Sequence, residues 1–79
     1  MPIVSVKVLA GAFSKAQKEK LIDGITDVFA DVGGEGIRPN VAVLVEEVES
    51  GMWGIGGHKL TTEEIEARRR ARSVDAPGG

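Results

Sequence analysis

The residue of this sequence best placed to do chemistry is Pro2, which stands directly behind the initiator methionine and in front of an apolar run. A proline nitrogen inside a chain carries no proton, whereas a terminal proline is a secondary amine that can accept and return one. Removal of Met1, which the small residue at position 2 favours, would therefore create a general base. Proline is also a common second residue of ordinary proteins, so a catalytic and a structural interpretation both stay open.

A second candidate is the segment 50–58, in which four glycines surround Met52, Trp53 and Ile55. This composition predicts a tight turn or hairpin that presents large apolar groups on a flexible backbone. The glycine spacing fits neither a dinucleotide-binding loop nor a Walker phosphate loop. Trp53 is the only tryptophan, and it is interpreted either as core or interface packing or as the wall of a pocket.

The other ionisable groups have plainer explanations. His58 is the only histidine and the chain has no cysteine, so we expect neither a metal site nor another cofactor. Glutamates 46, 47 and 49 are interpreted as the solvated end of a strand. The arginines from Arg68 to Arg72 complete a helix end more readily than they bind nucleic acid, because the chain is acidic and no aromatic residue lies among them.

Composition limits the class of protein. The chain has 79 residues, is 42% hydrophobic and carries a formal net charge of -2, which indicates one globular domain over 1–72 with a loose tail over 73–79. A chain this short without a disulfide buries little surface by itself, so we expect subunits to share a core. No signal peptide or membrane span is recognisable, and a cytoplasmic protein without nucleic-acid or membrane partners is expected.

The elements that position Pro2 begin with a strand and a helix. Residues 3–9 alternate, with valines at every second position, and predict a strand with one wholly apolar face. Ser14 followed by Gln17 is a capping box, and the apolar stripe that follows predicts a helix from near Lys15 to the glycines at 33 and 34. Both glycines permit backbone angles that end a helix.

A second strand follows a short connection, residues 35–40, in which Pro39 discourages further helix. The apolar run 41–45 does not alternate, which predicts a strand buried on both faces. Strand, helix and strand form a right-handed crossover with parallel strands and the helix on one side. We expect a second copy to cover the other side. Thr61 and Glu64 form another capping box, and a second helix is predicted to about Arg72, with ion pairs such as Glu64 to Arg68.

Together these features resemble the 4-oxalocrotonate tautomerase family over about the first 58 residues. The resemblance implies an α/β fold, in which a β-α-β unit with a C-terminal hairpin and short helix dimerises into a four-stranded sheet and assembles into a hexamer. It also implies that Met1 is cleaved, that Pro2 acts as general base and then acid, and that Trp53 lines the pocket. The residues that carry it are Met1 to Ile3, Leu9 to Gly11, Gln17 to Glu19, Leu21, Ile22, Glu47 and above all Gly51 to Gly57.

The sequence departs from this family where members that act on dicarboxylates carry two arginines. Ala12 and Phe13 stand at the first position and Ala42 at the second, and each charge-assisted contact to a carboxylate is worth about 1.5 to 3 kcal/mol. Arg38 from a neighbouring subunit is a possible substitute, although not the favoured one.

We therefore expect a tautomerase-like isomerase that moves a proton in a small enolisable carbonyl compound less anionic than the usual substrate. Ile3, Val4 or Trp53 would supply apolar surroundings that lower the pKa of the amine. The alternatives are a scaffold subunit of a hetero-oligomeric enzyme, which the missing arginines suit, and a non-catalytic homo-oligomer that binds an apolar ligand near Trp53.

Overall fold

The computed structural model describes residues 1–75, and the side chains of residues 1–72. None of its described helices is both long enough and apolar enough to cross a membrane. The elements follow in the order β1 (Ile3–Leu9), α1 (Lys15–Gly33), a 3₁₀ helix (Glu35–Asn40), β2 (Ala42–Val48), β3 (Trp53–Ile55), β4 (His58–Leu60) and α2 (Thr62–Asp75).

Strands β1 and β2 pair in parallel, from Ile3 opposite Ala42 to Leu9 opposite Val48. One face of this two-stranded sheet carries Val8 and Glu47. Glu47 forms an ion pair with Lys18 of α1, which shows that this face lies against the helix. The predicted β-α-β crossover with a helix on one side is therefore confirmed. The opposite face, which we call the open sheet face, carries Ile3, Ser5, Lys7 and Leu9 of β1 and Ala42, Leu44, Glu46 and Val48 of β2.

Helix α1 begins where the capping box predicts. The Ser14 hydroxyl accepts from the Gln17 amide at 3.1 Å, and the Gln17 side chain accepts from the Ser14 amide at 2.8 Å. These two bonds satisfy amides that the first helical turn leaves unpaired. At the other end Gly34 has φ of 95° and its amide donates to Ala30, so a glycine ends the helix as expected.

Two boundaries differ from the sequence prediction. The connection 35–40 is a 3₁₀ helix that contains Pro39, because proline is compatible with short helical turns that do not need its missing amide hydrogen. Strand β2 continues past residue 45 to Val48. Its two glutamates belong to the strand because the ladder with β1 continues there, with Glu46 opposite Lys7 and Glu47 opposite Val8. Each carboxylate also has a cation nearby, Lys7 at 3.3 Å from Glu46 and Lys18 at 3.2 Å from Glu47.

The glycine-rich segment forms the predicted hairpin. Strands β3 and β4 pair antiparallel around Gly56 and Gly57, whose positive φ values of 57° and 86° suit a two-residue hairpin loop. The Thr61 hydroxyl caps α2 by accepting from the Glu64 amide at 3.2 Å.

The second capping box is only half formed, because the Glu64 carboxylate lies 2.9 Å from the His58 ring instead of accepting a hydrogen bond from the Thr61 amide. The predicted ion pair between Glu64 and Arg68 is present at 3.8 Å. Helix α2 extends to Asp75, beyond the predicted end at Arg72, so the first residues of the expected tail are helical. The rest of that tail, residues 76–79, lies outside the described residues.

The buried core is small and the molecule is extended. The buried hydrophobic residues of the described part of the chain are Val8, Leu9, Ala12, Ala30 and Leu60. The radius of gyration is 15.7 Å, whereas a compact chain of this length would have about 12 Å. The prediction that β2 is buried on both faces is wrong for the single chain, because Leu44 on the open sheet face is 48% exposed. One chain leaves part of its apolar surface uncovered.

Candidate active site

Pro2 is held at the start of the sheet by a hydrogen bond of its own backbone. The Ala42 amide donates to the Pro2 carbonyl oxygen at 3.0 Å, which extends the parallel ladder by one residue beyond β1. The proline is half-buried, whereas Met1 before it is 87% exposed. Loss of Met1 would therefore remove almost no packing and would leave the Pro2 carbonyl bonded to the Ala42 amide.

Two further predicted site residues lie beside Pro2. Ile3 and Ala42 are partners in the register of the sheet, so both side chains are at the same end of the open sheet face. Ile3 is 70% exposed in the single chain. The apolar surroundings that we expected Ile3 to give the proline are thus open on one side.

Arg38 also lies at the Pro2 end of the sheet, in the 3₁₀ helix that leads into β2. Its guanidinium donates to both oxygens of Glu35, at 2.9 and 3.0 Å, and to Asp27 at 2.7 Å. The hydrogen bond from Arg38 lowers the pKa of Glu35, and the two carboxylates raise the pKa of Arg38. Because one cation faces two carboxylates, the cluster offers no net positive charge to an anionic substrate, and a substrate-binding role for Arg38 stays a prediction.

Trp53 lies at the opposite end of β1. It packs against the buried cluster of Leu9, Ala12 and Leu60, together with Ile65 of α2. Pro2 precedes the first residue of β1 and Leu9 is the last, so the strand rise of about 3.3 Å per residue places Trp53 about 20 Å from the proline. One chain therefore does not bring its two principal site residues together.

A cavity of about 220 Å³ opens beside Trp53. Apart from Lys7, all its lining residues are apolar: Val8, Leu9, Ala12, Phe13, Trp53, Leu60 and Ile65. Ala12 and Phe13, which occupy the loop where the resemblance places an arginine, are thus at the Trp53 end of the molecule. A larger groove of about 500 Å³ runs along α1 and includes Phe13, Leu21 and Val28, but it contains neither Pro2 nor Trp53.

Lys7 is the residue that the sequence analysis missed. Its ammonium lies 3.3 Å from Glu46, which also accepts from the Ser5 hydroxyl at 2.8 Å. Hydrogen bonds from Ser5 and then Lys7 lower the pKa of Glu46. The signal was present in the alternation of β1, since Lys7 is two residues before Leu9 and therefore on the same face.

Among the described side chains, those of residues 1–72, no group of three or more His, Cys, Asp or Glu converges as a metal ion would need. The Trp53 cavity of the single chain offers the indole ring of Trp53 and the side chain of Lys7, whereas Pro2 does not line it and would carry a free amine only if Met1 were removed.

Comparison with known proteins identifies the family. The family model described as tautomerase enzyme matches residues 2–63. This chain belongs to the tautomerase family. The match begins at Pro2 and ends just inside α2, so nearly all of the second helix lies beyond it.

Named relatives and solved structures agree with this assignment to the tautomerase family. The chain is 34% identical over 67 residues to probable tautomerase K2 of Dickeya dadantii, with 85% of this chain and 98% of that protein covered. It is 29% identical to a probable tautomerase of Helicobacter pylori strain J99, over 76% of this chain and 90% of that protein.

Two crystal structures share the fold. A 4-oxalocrotonate tautomerase homologue superposes with a TM-score of 0.66 at 27% identity, covering 75% of this chain and 90% of that one. DmpI from Helicobacter pylori gives a TM-score of 0.62 at 26% identity, covering 80% and 98%. The expected family and the tautomerase fold are thereby confirmed, and tautomerase-like isomerase activity follows in general terms.

Proposed function

We propose that this tautomerase-family chain uses Pro2, freed by removal of Met1, to move a proton between oxygen and carbon of a small enolisable carbonyl compound. The amine takes the hydroxyl proton of the enol, the electrons of the carbon–carbon double bond pick up a proton from the resulting ammonium, and the carbonyl forms. The proton removed and the proton delivered balance, so the reaction requires no oxidant or co-reactant.

The observation that carries this proposal is the anchoring of Pro2. Its carbonyl is fixed by the Ala42 amide at 3.0 Å while Met1 is exposed, so the nitrogen would be held in place and open to a substrate. A base fixed before the substrate arrives avoids part of the entropic cost of orienting the two reactants.

The complete site in this proposal needs more than one copy of the chain. Pro2 and Trp53 are about 20 Å apart along β1, so the Trp53 that lines a given Pro2 pocket belongs to another protomer. The exposed Ile3 and Leu44 and the extended shape support a shared core, and the family resemblance favours a dimer with a four-stranded sheet and a hexamer built from it.

The proposed substrate carries less negative charge than a dicarboxylate. Ala42 stands beside Pro2 at a position where the resemblance would place an arginine, and Arg38 is already bonded to two carboxylates. A phenylpyruvate-like enol, with one carboxylate and an apolar group, fits a largely apolar site better.

A ketonisation assay tests the role of Pro2. Wild-type protein whose N-terminal residue is shown by mass measurement to be proline is compared with the Pro2→Ala variant on phenylenolpyruvate. General base and acid catalysis contributes about 10²- to 10⁴-fold, so we expect a loss of at least about 100-fold in kcat for the variant. Equal rates would remove Pro2 from the mechanism.

The second candidate function is that of a scaffold subunit in a hetero-oligomeric enzyme of the same superfamily. The apolar Ala42 beside Pro2 and the Ala12 and Phe13 at the Trp53 cavity favour it, because such a subunit would need no carboxylate-binding arginines. Purification of this chain alone decides between the two: a homogeneous, active homo-oligomer excludes an obligatory partner, whereas an inactive chain that gains activity with a related subunit supports the scaffold role.

A further inference from the structure

The second half of α2 has little contact with the rest of the domain. The first turn of this helix is held in place, because the Thr62 amide donates to the Ser50 hydroxyl at 3.0 Å and Ile65 packs against the buried cluster. Every side chain from Glu66 to Arg72 is exposed. A helix of 14 residues is only marginally stable in water without tertiary packing, so this half of α2 is suited to contact a partner.

The exposed half of α2 carries a concentrated positive charge. Its four arginines occupy positions 68, 69, 70 and 72, beyond residues 2–63 that the family model matches. Arg68 is 3.8 Å from Glu64. The other three arginines form no ion pair with any side chain of residues 1–72. Membership of the tautomerase family therefore does not account for this charge.

A surface of opposite charge lies on α1, and we call it the acidic row. It consists of Glu19, Asp23, Asp27 and Asp31, which are four residues apart and all exposed. Like charges at this spacing are neighbours on a helix surface and destabilise the helix. Asp31 also lies in the last turn, which contains no basic residue and where the helix dipole disfavours a negative charge. The stability of α1 by itself therefore does not explain the acidic row.

One chain neutralises the acidic row only in part. Arg38 pairs with Asp27 at 2.7 Å. No other member of the row has an ion pair with a described side chain, and Lys20 of the same helix has none either. Within residues 1–72 no ion pair joins α2 to α1. The arginines of α2 and the acidic row are thus complementary surfaces that do not meet in one chain.

We propose that the arginines of α2 dock on the acidic row of α1 in a second copy of this chain. Arg69 and Arg72 are about 4.5 Å apart along their helix axis and neighbours in the acidic row about 6 Å, a difference that long arginine side chains can span. Docking would relieve the like-charge repulsion on both helices. A second copy is the occupant that the chain itself supplies, and its exposed Ile3 and Leu44 already favour association of copies.

The contact differs from the shared apolar core in its dependence on salt. Single exposed ion pairs contribute little and are screened by salt, so the contact needs several pairs, and a symmetric assembly repeats it in each protomer. Neither surface contains a residue of the proposed Pro2 site. The proposal therefore goes beyond the proposed function and does not depend on turnover.

A charge swap in the full chain tests the proposal, with sedimentation at low salt as the measurement. The first variant reverses α2 by Arg69→Glu with Arg72→Glu. The second reverses the acidic row by Asp23→Arg with Asp31→Arg. A third variant combines all four changes, which keeps the net charge of wild type and restores complementarity with the signs exchanged.

The choice of positions follows the ion pairs. Asp27 and Arg68 are unchanged because each has a partner in its own chain. Lys15→Glu with Lys59→Glu is the matched control for reversal of α2, since it changes the net charge by the same amount and both lysines are exposed outside the two surfaces.

The quantity compared is the protomer concentration at which half of the assembly has dissociated. Each reversal should raise it about tenfold, the combined variant should return it close to the wild-type value, and the control should leave it unchanged. Salt at about 0.5 M should remove most of the difference between wild type and the reversals. A combined variant that dissociates as readily as the two reversals would refute the proposal.

Cross-linking locates the contact directly. Arg69→Lys introduces an amine that a carbodiimide joins only to a carboxylate in contact with it, and we expect a covalent dimer whose linked peptides connect position 69 with Asp23 or Asp31. The same dimer should be lost when Asp23→Asn and Asp31→Asn are added. Links confined to one chain, or none to α1, would overturn the proposal. So would binding of a single-stranded RNA that is lost on reversal of α2 while assembly is unchanged, because the arginines would then serve nucleic acid.

Discussion

The junction that joins β1 to α2 gives a sharp test of how the Trp53 end of the molecule is positioned. Gly11 follows β1 with φ of 83°, and a Cβ placed on it would lie 2.8 Å from the Thr62 methyl carbon. The Thr62 hydroxyl donates to the Ala10 carbonyl, which fastens the start of α2 to the end of β1. The change Gly11→Ala therefore meets two penalties, one from the backbone and one from Thr62.

Gly51 provides the matched control. Its φ of 85° is almost the same, but a Cβ there would meet nothing within 4 Å. A left-handed backbone costs a residue with a side chain about 1 to 2 kcal/mol, and this cost applies to both positions. Overpacking costs a further 1 to 3 kcal/mol or so, and this cost applies only at Gly11. We thus expect Gly51→Ala to lose about 1 to 2 kcal/mol and Gly11→Ala about 2 to 5 kcal/mol.

Urea unfolding followed by Trp53 fluorescence measures both losses at one fixed protomer concentration, since association would otherwise change the apparent stability. The variant Thr62→Ser removes the offending methyl and keeps the hydroxyl bond to Ala10. In that background the extra loss of Gly11→Ala should disappear, giving a coupling energy of about 1 to 3 kcal/mol. Equal losses at Gly11 and Gly51, or no recovery in the Thr62→Ser background, would show that Thr62 does not pack against Gly11.

Two further predictions concern stability. Ser14→Ala should lower the free energy of unfolding by about 1 kcal/mol, because the Gln17 amide loses its 3.1 Å bond at the start of α1. A lower urea midpoint with an unchanged denaturant slope would show this loss, and an unchanged midpoint would contradict it. The pKa of Glu47 is lowered by the hydrogen bond from Lys18 and then by the Gly11 amide, so its contribution to stability is present above its unfolded pKa and is lost as pH falls through the lowered value. The difference in unfolding free energy between wild type and Glu47→Gln should therefore shrink toward acid pH, and a difference independent of pH would refute the assignment.

Local sequence signals predicted most of the elements because their causes are local. The Ser14 to Gln17 box placed the start of α1 to the residue, and the four glycines of the segment 50–58 predicted a turn or hairpin there. Errors arose where partners distant in sequence decide the outcome. Strand β2 extends through Glu46 and Glu47 because they pair with Lys7 and Val8 in the ladder of β1, and a window along the sequence does not contain those pairs.

For the candidate site too, features local in sequence were predicted and contacts between distant segments were not. The sequence identified Pro2 and Trp53 as chemically distinctive, since a proline behind the initiator and a tryptophan among glycines are visible in the chain itself. It gave no sign that β1 holds them about 20 Å apart. The alternation of β1 put Lys7 on the same face as Leu9, but the place of Lys7 at the Trp53 cavity depends on a hairpin and a helix that follow much later in the chain.

The amino-acid sequence by itself determined the β-α-β unit and the hairpin, because periodicity, caps and glycine positions act over a few residues, and its motifs carried the resemblance to the family that the comparisons then showed. Only the tertiary structure decided which side chains share a cavity. It separated Pro2 from Trp53 and committed Arg38 to Glu35 and Asp27, because contacts between distant segments are set by how whole elements pack.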